Sequence, residues 1–196
     1  MKKLFILVLA FVITGCASVN LKEARYSTSV KIAEFNSIAS QYFEKPTFAK
    51  IMRMDTLKGD TIQYIADSYG ASCGKYGCSQ NNMAFFIHIK DVENVLIAIN
   101  KYESWNKLAT SEGDTINKEI LTFDSNFNSS LKYKYSFYSG NRTSHYLVIT
   151  ACGGFGVCVH DSAAYLNADS VKHLKSDLQK FKSGELSKFD IESKYN

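Results

Sequence analysis

The chain has 196 residues, of which 45% are hydrophobic, so it is long enough to bury the core of one domain. Its formal net charge is +4, and two of those charges, Lys2 and Lys3, lie at the extreme N-terminus. The rest of the chain is close to neutral, which gives no support to a nucleic-acid partner.

The N-terminus has the three parts of an export signal. Lys2 and Lys3 precede an apolar run over 4–13, which is too short to span a bilayer as a helix. Small residues at 14 and 15 then lead to Cys16, at the place where such signals are cleaved. The pattern predicts a signal peptide over 1–15. The alternatives are an uncleaved anchor, or an ordinary export signal with a cysteine there by chance.

The segment Ile-Thr-Gly-Cys at 13–16 resembles the lipobox of bacterial lipoproteins. The resemblance implies that the Cys16 thiol receives diacylglycerol and that the new N-terminus is acylated in turn. Several acyl chains give a durable membrane anchor, whereas a single chain binds weakly. Ala17, rather than aspartate, follows the cysteine, and in this class that implies the outer membrane. The resemblance ends with these residues and implies no domain family.

After a polar tether over 16–27, the sequence predicts one domain over 28–184, beginning with a helix. Apolar residues recur at helical spacing, and Pro46 bars continuation of the helix, so we expect it over 28–43. The residues at this spacing are Ile32, Phe35, Ala39 and Tyr42.

The next segment has the pattern of strands followed by a helix. β-like runs at 47–56 and 60–68 flank a turn at 57–59, and alternation over 83–90 predicts a third strand. Asp91 is placed to cap a helix. The apolar stripe of that helix is Val92, Val95, Leu96, Ile99 and Tyr102.

The second half repeats this order. Strands are predicted at 119–124, 131–138, 144–151 and 157–166, with Asp169 capping a final helix. Its core-facing residues are Val171, Leu174, Leu178 and Phe181. Gly184 fits the end of that helix, and 185–196 is a polar tail.

The two halves share a cysteine-glycine-aromatic pattern. Cys73-Gly-Lys-Tyr-Gly matches Cys152-Gly-Gly-Phe-Gly at an offset of 79 residues. Coincidence is the alternative, because glycine is common. We interpret the pattern as tandem β-β-β-α repeats over 47–109 and 117–184. The expected fold is α+β, with a mainly antiparallel sheet and helices on one side.

Four cysteines besides Cys16 remain in the mature chain: Cys73, Cys78, Cys152 and Cys158. An even number in an exported protein predicts disulfides. Symmetric halves favour the pairs 73–78 and 152–158. A zinc site is the alternative, but gaps of four and five residues fit common zinc motifs poorly.

The function suggested by these residues is binding rather than catalysis. No motif for a metal, a cofactor or a catalytic residue occurs, although a Cys/His hydrolase of cell-wall material is an alternative and would need a free thiolate. Tyr76 and Phe155, each within a cysteine loop, are the candidate binding residues. We expect a lipid-anchored envelope protein that binds a protein or a glycan and no nucleic acid. A periplasmic inhibitor or immunity lipoprotein is a further alternative.

Overall fold

A computed structural model of the protein describes residues 20–36, 38–66, 71–74, 77–80, 83–153, 156–158 and 163–186. These residues form twelve β-strands and two α-helices, so the protein is α+β, as the sequence predicts. The strands of the first half are β1 (Leu21–Tyr26), β2 (Ile32–Asn36), β3 (Gln41–Lys45), β4 (Thr47–Met54), β5 (Asp60–Ala66), β6 (Ala71–Gly74), β7 (Gly77–Gln80) and β8 (Met83–His88). The strands of the second half are β9 (Ile116–Asp124), β10 (Leu131–Asn141), β11 (Ser144–Gly153) and β12 (Ala164–Leu166). The helices are α1 (Val92–Glu112), which follows a 3₁₀ turn at Ile89–Asp91, and α2 (Ala168–Lys182).

In the described part of the chain the long strands form two antiparallel sheets. The first sheet has the order β1-β4-β5-β8, and the second has the order β3-β2-β12-β11-β10-β9. A short hairpin, β6–β7, forms a separate two-stranded sheet. The sheets meet where β8 contacts β12.

Both halves of the chain have the same order of elements. In the first, the neighbouring strands β1, β4, β5 and β8 lead into α1; in the second, β9, β10, β11 and β12 lead into α2. A cysteine segment separates the third and fourth strands of each set. Within these sets, the structure adds one strand, β1, to those predicted for the first half, while the four strands of the second half were all predicted. The β2–β3 hairpin is inserted between β1 and β4 of the first unit and joins the second sheet.

The core lies between the inner faces of the sheets and the two helices. Helix α1 packs on β9, β10 and β11, where the rings of Tyr102 and Phe137 are 5.7 Å apart. The two helices contact each other, and Lys175 pairs with Glu103 across them at 2.8 Å. The apolar stripes predicted for both helices are largely buried, which explains why periodicity located them.

A polar cluster attaches α2 to the first sheet. The Asp177 carboxylate accepts hydrogen bonds from the hydroxyls of Tyr26, Thr28 and Tyr64, at 3.3, 2.7 and 3.2 Å. Burial raises the pKa of Tyr64 well above its usual value, so the hydroxyl stays protonated and keeps donating. Each repeat unit therefore contacts the helix of the other.

The turn predicted at 57–59 is confirmed and depends on a glycine. Gly59 has a φ of +116°, which side chains other than glycine's rarely allow. A Cβ atom there would lie 2.8 Å from Cγ2 of Ile89. This turn joins β4 to β5 and lies against the segment that leads into α1.

The helix predicted over 28–43 is wrong, because this segment is the β2–β3 hairpin. Phe35 and Tyr42 are cross-strand partners, so their spacing imitated a helical repeat. The side chain of Asn36 accepts hydrogen bonds from the backbone N–H groups of Ile38 and Ala39, and this local turn reverses the chain.

Two boundaries and the capping of the helices also differ from the predictions. The tether over 16–27 is too long, because residues 21–26 form β1, whose backbone pairs with β4. The strand predicted at 157–166 is described only at 164–166, as β12. Asp91 is at the N-cap position of α1, as predicted, but its side chain accepts hydrogen bonds from Asn126 rather than from the helix. Asn167, not Asp169, caps α2 by accepting from the N–H of Ser170.

Candidate functional site

An aromatic cluster covers part of the outer face of the second sheet, opposite the core. Residues directly opposite in an antiparallel pair project to the same face. The register pairs Tyr138 with Tyr146 and Phe35 with Tyr42, while Tyr165 lies opposite Val148 and Ala33. We call this cluster the outer aromatic surface, and its members are Phe35, Tyr42, Tyr138, Tyr146 and Tyr165.

Tyr42 lies at the centre of the outer aromatic surface. Its ring centroid is 4.4 Å from that of Tyr146, 4.7 Å from that of Tyr165 and 5.1 Å from that of Phe35. Three strand spacings of about 4.8 Å would separate β3 from β11 in a flat sheet. The short ring distances therefore require the β2–β3 hairpin to curl over the outer face.

Two hydroxyls of the cluster, those of Tyr42 and Tyr146, are held in the neutral form. Burial, together with the neighbouring hydroxyls of Tyr165 and Tyr138, raises the pKa of Tyr42. Burial and the Glu44 carboxylate raise the pKa of Tyr146. At these two positions the surface presents a neutral hydroxyl and ring edges rather than phenolate charge.

The tip of the β2–β3 hairpin extends the surface with exposed apolar groups. The side chain of Ile38 is 97% exposed and that of Phe35 is 50% exposed. Their positions are fixed by the Asn36 turn and by the ring contact with Tyr42. An isoleucine side chain exposed to this degree makes no contribution to the core.

Polar contacts hold the hairpin to the rest of the domain. Within the hairpin, Lys45 pairs with Glu34 at 2.8 Å. Outside it, the side-chain amide of Asn167 donates to Glu44 at 2.7 Å. The backbone N–H of Ile32 donates to the Thr47 hydroxyl at 2.9 Å. The outer aromatic surface is therefore preorganised, which lowers the entropy lost when a partner binds.

The cysteines of the second half are paired. The sulfurs of Cys152 and Cys158 are 2.10 Å apart, at disulfide distance, as the sequence predicts. In the first half, the backbones of Cys73 and Cys78 lie directly opposite each other in the β6–β7 hairpin. A disulfide between those two stays a prediction.

The described histidines have structural surroundings. One ring nitrogen of His145 lies 3.0 Å from the Ser139 hydroxyl, and the other lies 2.9 Å from the carbonyl oxygen of Arg142. His88 is buried, which lowers the pKa of its imidazole, and His173 is exposed. Across the ranges that the structure describes, no three His, Cys, Asp or Glu side chains gather as a metal site requires.

Three of the predicted functional residues lie outside the described residues, namely Cys16, Tyr76 and Phe155. Lipidation at Cys16 and a recognition edge at the two loop aromatics therefore stay predictions. The outer aromatic surface was not predicted from the sequence. Its signal was the placement of tyrosines at the outward positions of strands, at 138, 146 and 165.

Neither described helix is long and apolar enough to cross a membrane. The sequence matches no protein-family model, and comparison with curated proteins and with solved structures finds no match.

Proposed function

We propose that this chain is a lipid-anchored protein of the bacterial cell envelope that binds a partner protein and catalyses no reaction. The resemblance of residues 13–16 to a lipobox supports the anchor and an outer-membrane location. The observation that carries the binding role is the outer aromatic surface, with the exposed hairpin tip beside it.

The composition of this surface favours a protein partner. Tyrosine and other aromatic side chains are enriched in protein interfaces, because they contribute a large contact area at a low entropy cost. Phe35 and Ile38 add apolar area that is accessible to solvent. Because the surface is built on a sheet, it can meet a partner without rearranging.

A glycan partner has less support. Sugar rings stack on open aromatic faces, but Tyr42 lies against Tyr146 and Tyr165 with the rings tilted by 37° and 41°. Each of these rings covers part of another. Phe35, at the edge of the cluster, is half exposed, and a single ring is a small platform for a saccharide.

A hydrolase of the Cys/His type also has less support. With their sulfurs at disulfide distance, Cys152 and Cys158 offer no thiolate. The ring nitrogens of His145 already contact Ser139 and Arg142. An inhibitor or immunity protein is a binding protein, so identifying the partner would decide whether the chain has that more specific role.

Removing the exposed apolar groups should abolish the complex without affecting the fold. We expect the double substitution Phe35→Ala and Ile38→Ala to remove most of a discrete crosslinked adduct formed in intact cells. Truncating an interface hot spot costs on the order of 2 kcal/mol, which is roughly a thirty-fold loss of affinity. The measurement is the adduct yield relative to total protein after chemical crosslinking.

The matched control is Leu108→Ala, because Leu108 is 55% exposed and lies on α1, away from the hairpin. This variant should retain the adduct, and both variants should keep the melting temperature of the wild type. An adduct that persists in the double variant would contradict the assignment of the surface.

A further inference from the structure

A cleft lies at the end of the domain where the anchored N-terminus enters the fold. It has a volume of about 610 Å³ and lies between the β4–β5 turn and the C-terminal end of α2. The apolar side chains that line it are Met54, Leu57, Ile89 and Phe181. Its size is within the range of pockets that hold small ligands.

The entry of β1 fixes which end of the domain is nearest to the anchor. Leu21 pairs with Met54 at the end of β4, and the backbone N–H of Asp55 donates to the carbonyl oxygen of Asn20 at 3.3 Å. The β4–β5 turn therefore lies beside the point where the described chain begins. At the other end of β1, Tyr26 pairs with Ala49.

The length of chain before β1 limits how far this end can lie from the membrane. Five residue steps separate Cys16 from Leu21, so even a fully extended chain reaches about 18 Å. The six residues of β1 themselves span about 17–20 Å. An inverted domain, with the Tyr26 end on the membrane, would need a tether stretched to its limit. A shorter and more relaxed tether places the β4–β5 turn on the membrane.

The charges that line the cleft are balanced. Arg53 and Lys182 are basic, while Asp55 and Asp60 are acidic. Arg53 and Asp60 form a two-contact pair at 2.7 and 2.8 Å. Lys182 pairs with Glu93, but both side chains are at least 60% exposed, and such a surface pair is weak enough for Lys182 to exchange Glu93 for another anion. A lining with as many cations as anions complements a group that carries both a phosphate and an ammonium, whereas an anionic ligand would favour an excess of cations.

We infer that this end of the domain rests on the membrane and that its cleft takes the headgroup of a zwitterionic phospholipid. This inference rests on the proposed lipid anchor at Cys16. Lys182 is placed to contact the phosphate, Asp55 the ammonium, and Leu57 the glycerol region. The exposed side chain of Leu21 lies next to the same surface.

Fluorescence of single tryptophans in the lipidated full chain tests the orientation. Trp105→Phe gives a background without tryptophan, and Leu57→Trp or Phe48→Trp then introduces one at either end of β4. Phe48 is exposed and lies six residues, or about 20 Å, from Met54. The proteins are placed in phosphatidylethanolamine and phosphatidylglycerol vesicles that carry a nitroxide quencher on some headgroups. We expect strong quenching at position 57 and little at position 48.

Lys182→Glu tests the contact between the cleft and the lipid headgroup. Lys180→Glu is the matched control, since Lys180 is exposed and does not line the cleft. We expect Lys182→Glu to reduce the quenching at position 57 and Lys180→Glu to leave it unchanged. Vesicle flotation distinguishes a failure of the lipid anchor from a failure of the proposed orientation and headgroup contact. Protein that does not float with vesicles would overturn the anchor and this inference with it. Protein that floats but shows equal quenching at both positions, or no effect of Lys182→Glu, would overturn this inference alone.

Discussion

Phe137→Ala should destabilise the protein by about 3–5 kcal/mol, because it removes a large ring from the centre of the core. The Phe137 side chain is buried on β10, and its centroid lies 5.7, 6.0 and 5.8 Å from the rings of Tyr102, Trp105 and His145. These contacts join α1 to the second sheet. A loss of this size is a large part of the 5–15 kcal/mol that stabilises a typical domain, and urea denaturation would measure it.

The matched control for this substitution is Phe48→Ala. The same atoms are removed from a residue that is 58% exposed, so the change in unfolding free energy should stay within about 0.5 kcal/mol. Similar losses for the two variants would contradict the packing of α1 on the second sheet.

Cys16→Ser should block both lipid attachment and processing at the lipobox, because only the thiol can accept diacylglycerol. We expect the variant to carry no lipid and to retain residues 1–15, so its intact mass should show the uncleaved signal in place of acyl chains. Intact mass, together with partitioning into the membrane fraction after carbonate extraction, measures the change.

Ala17→Asp is the companion variant for the anchor. It leaves the thiol in place, so lipidation should persist while the protein moves from the outer to the inner membrane. Membrane fractionation and intact mass would distinguish the two variants. An unmodified Cys16 in the wild-type protein, with cleavage at another position, would contradict the lipobox assignment.

The order of strands and helices in the two halves was largely predictable because its signals are local. The cysteine-glycine-aromatic segments, the turn at Gly59 and the apolar stripes of the helices each lie within a few residues of sequence. Those signals fix the order of the elements. The alternation of apolar and polar residues along 131–138 correctly placed Tyr133, Tyr135 and Phe137 on the buried face of β10.

The β2–β3 hairpin was mistaken for a helix because its register happens to match helical spacing. With Phe35 opposite Tyr42 and Ile32 opposite Lys45, the apolar residues fall at intervals that a helix would also give. The short turn at Asn36 decides between the two, since its side chain replaces the backbone bonds that a helix would form there. Periodicity alone could not detect that turn.

The outer aromatic surface could not be assembled from sequence, because its five members come from five strands. The strand register places Tyr138 beside Tyr146, and the position of the β2–β3 hairpin brings the ring of Tyr42 against that of Tyr165. A tyrosine at an outward strand position is unremarkable by itself. The cluster exists because the β2–β3 hairpin, inserted in the first repeat, pairs with the last strand of the second.

A photo-activated crosslinker at position 38 tests most directly whether the exposed hairpin tip contacts a partner protein. The amino acid p-benzoylphenylalanine would replace Ile38 or, as a control, Leu108, and intact cells would be irradiated. The account predicts one discrete protein adduct from position 38 and none of that mass from position 108. The same adduct from both positions, or none from position 38, would contradict it.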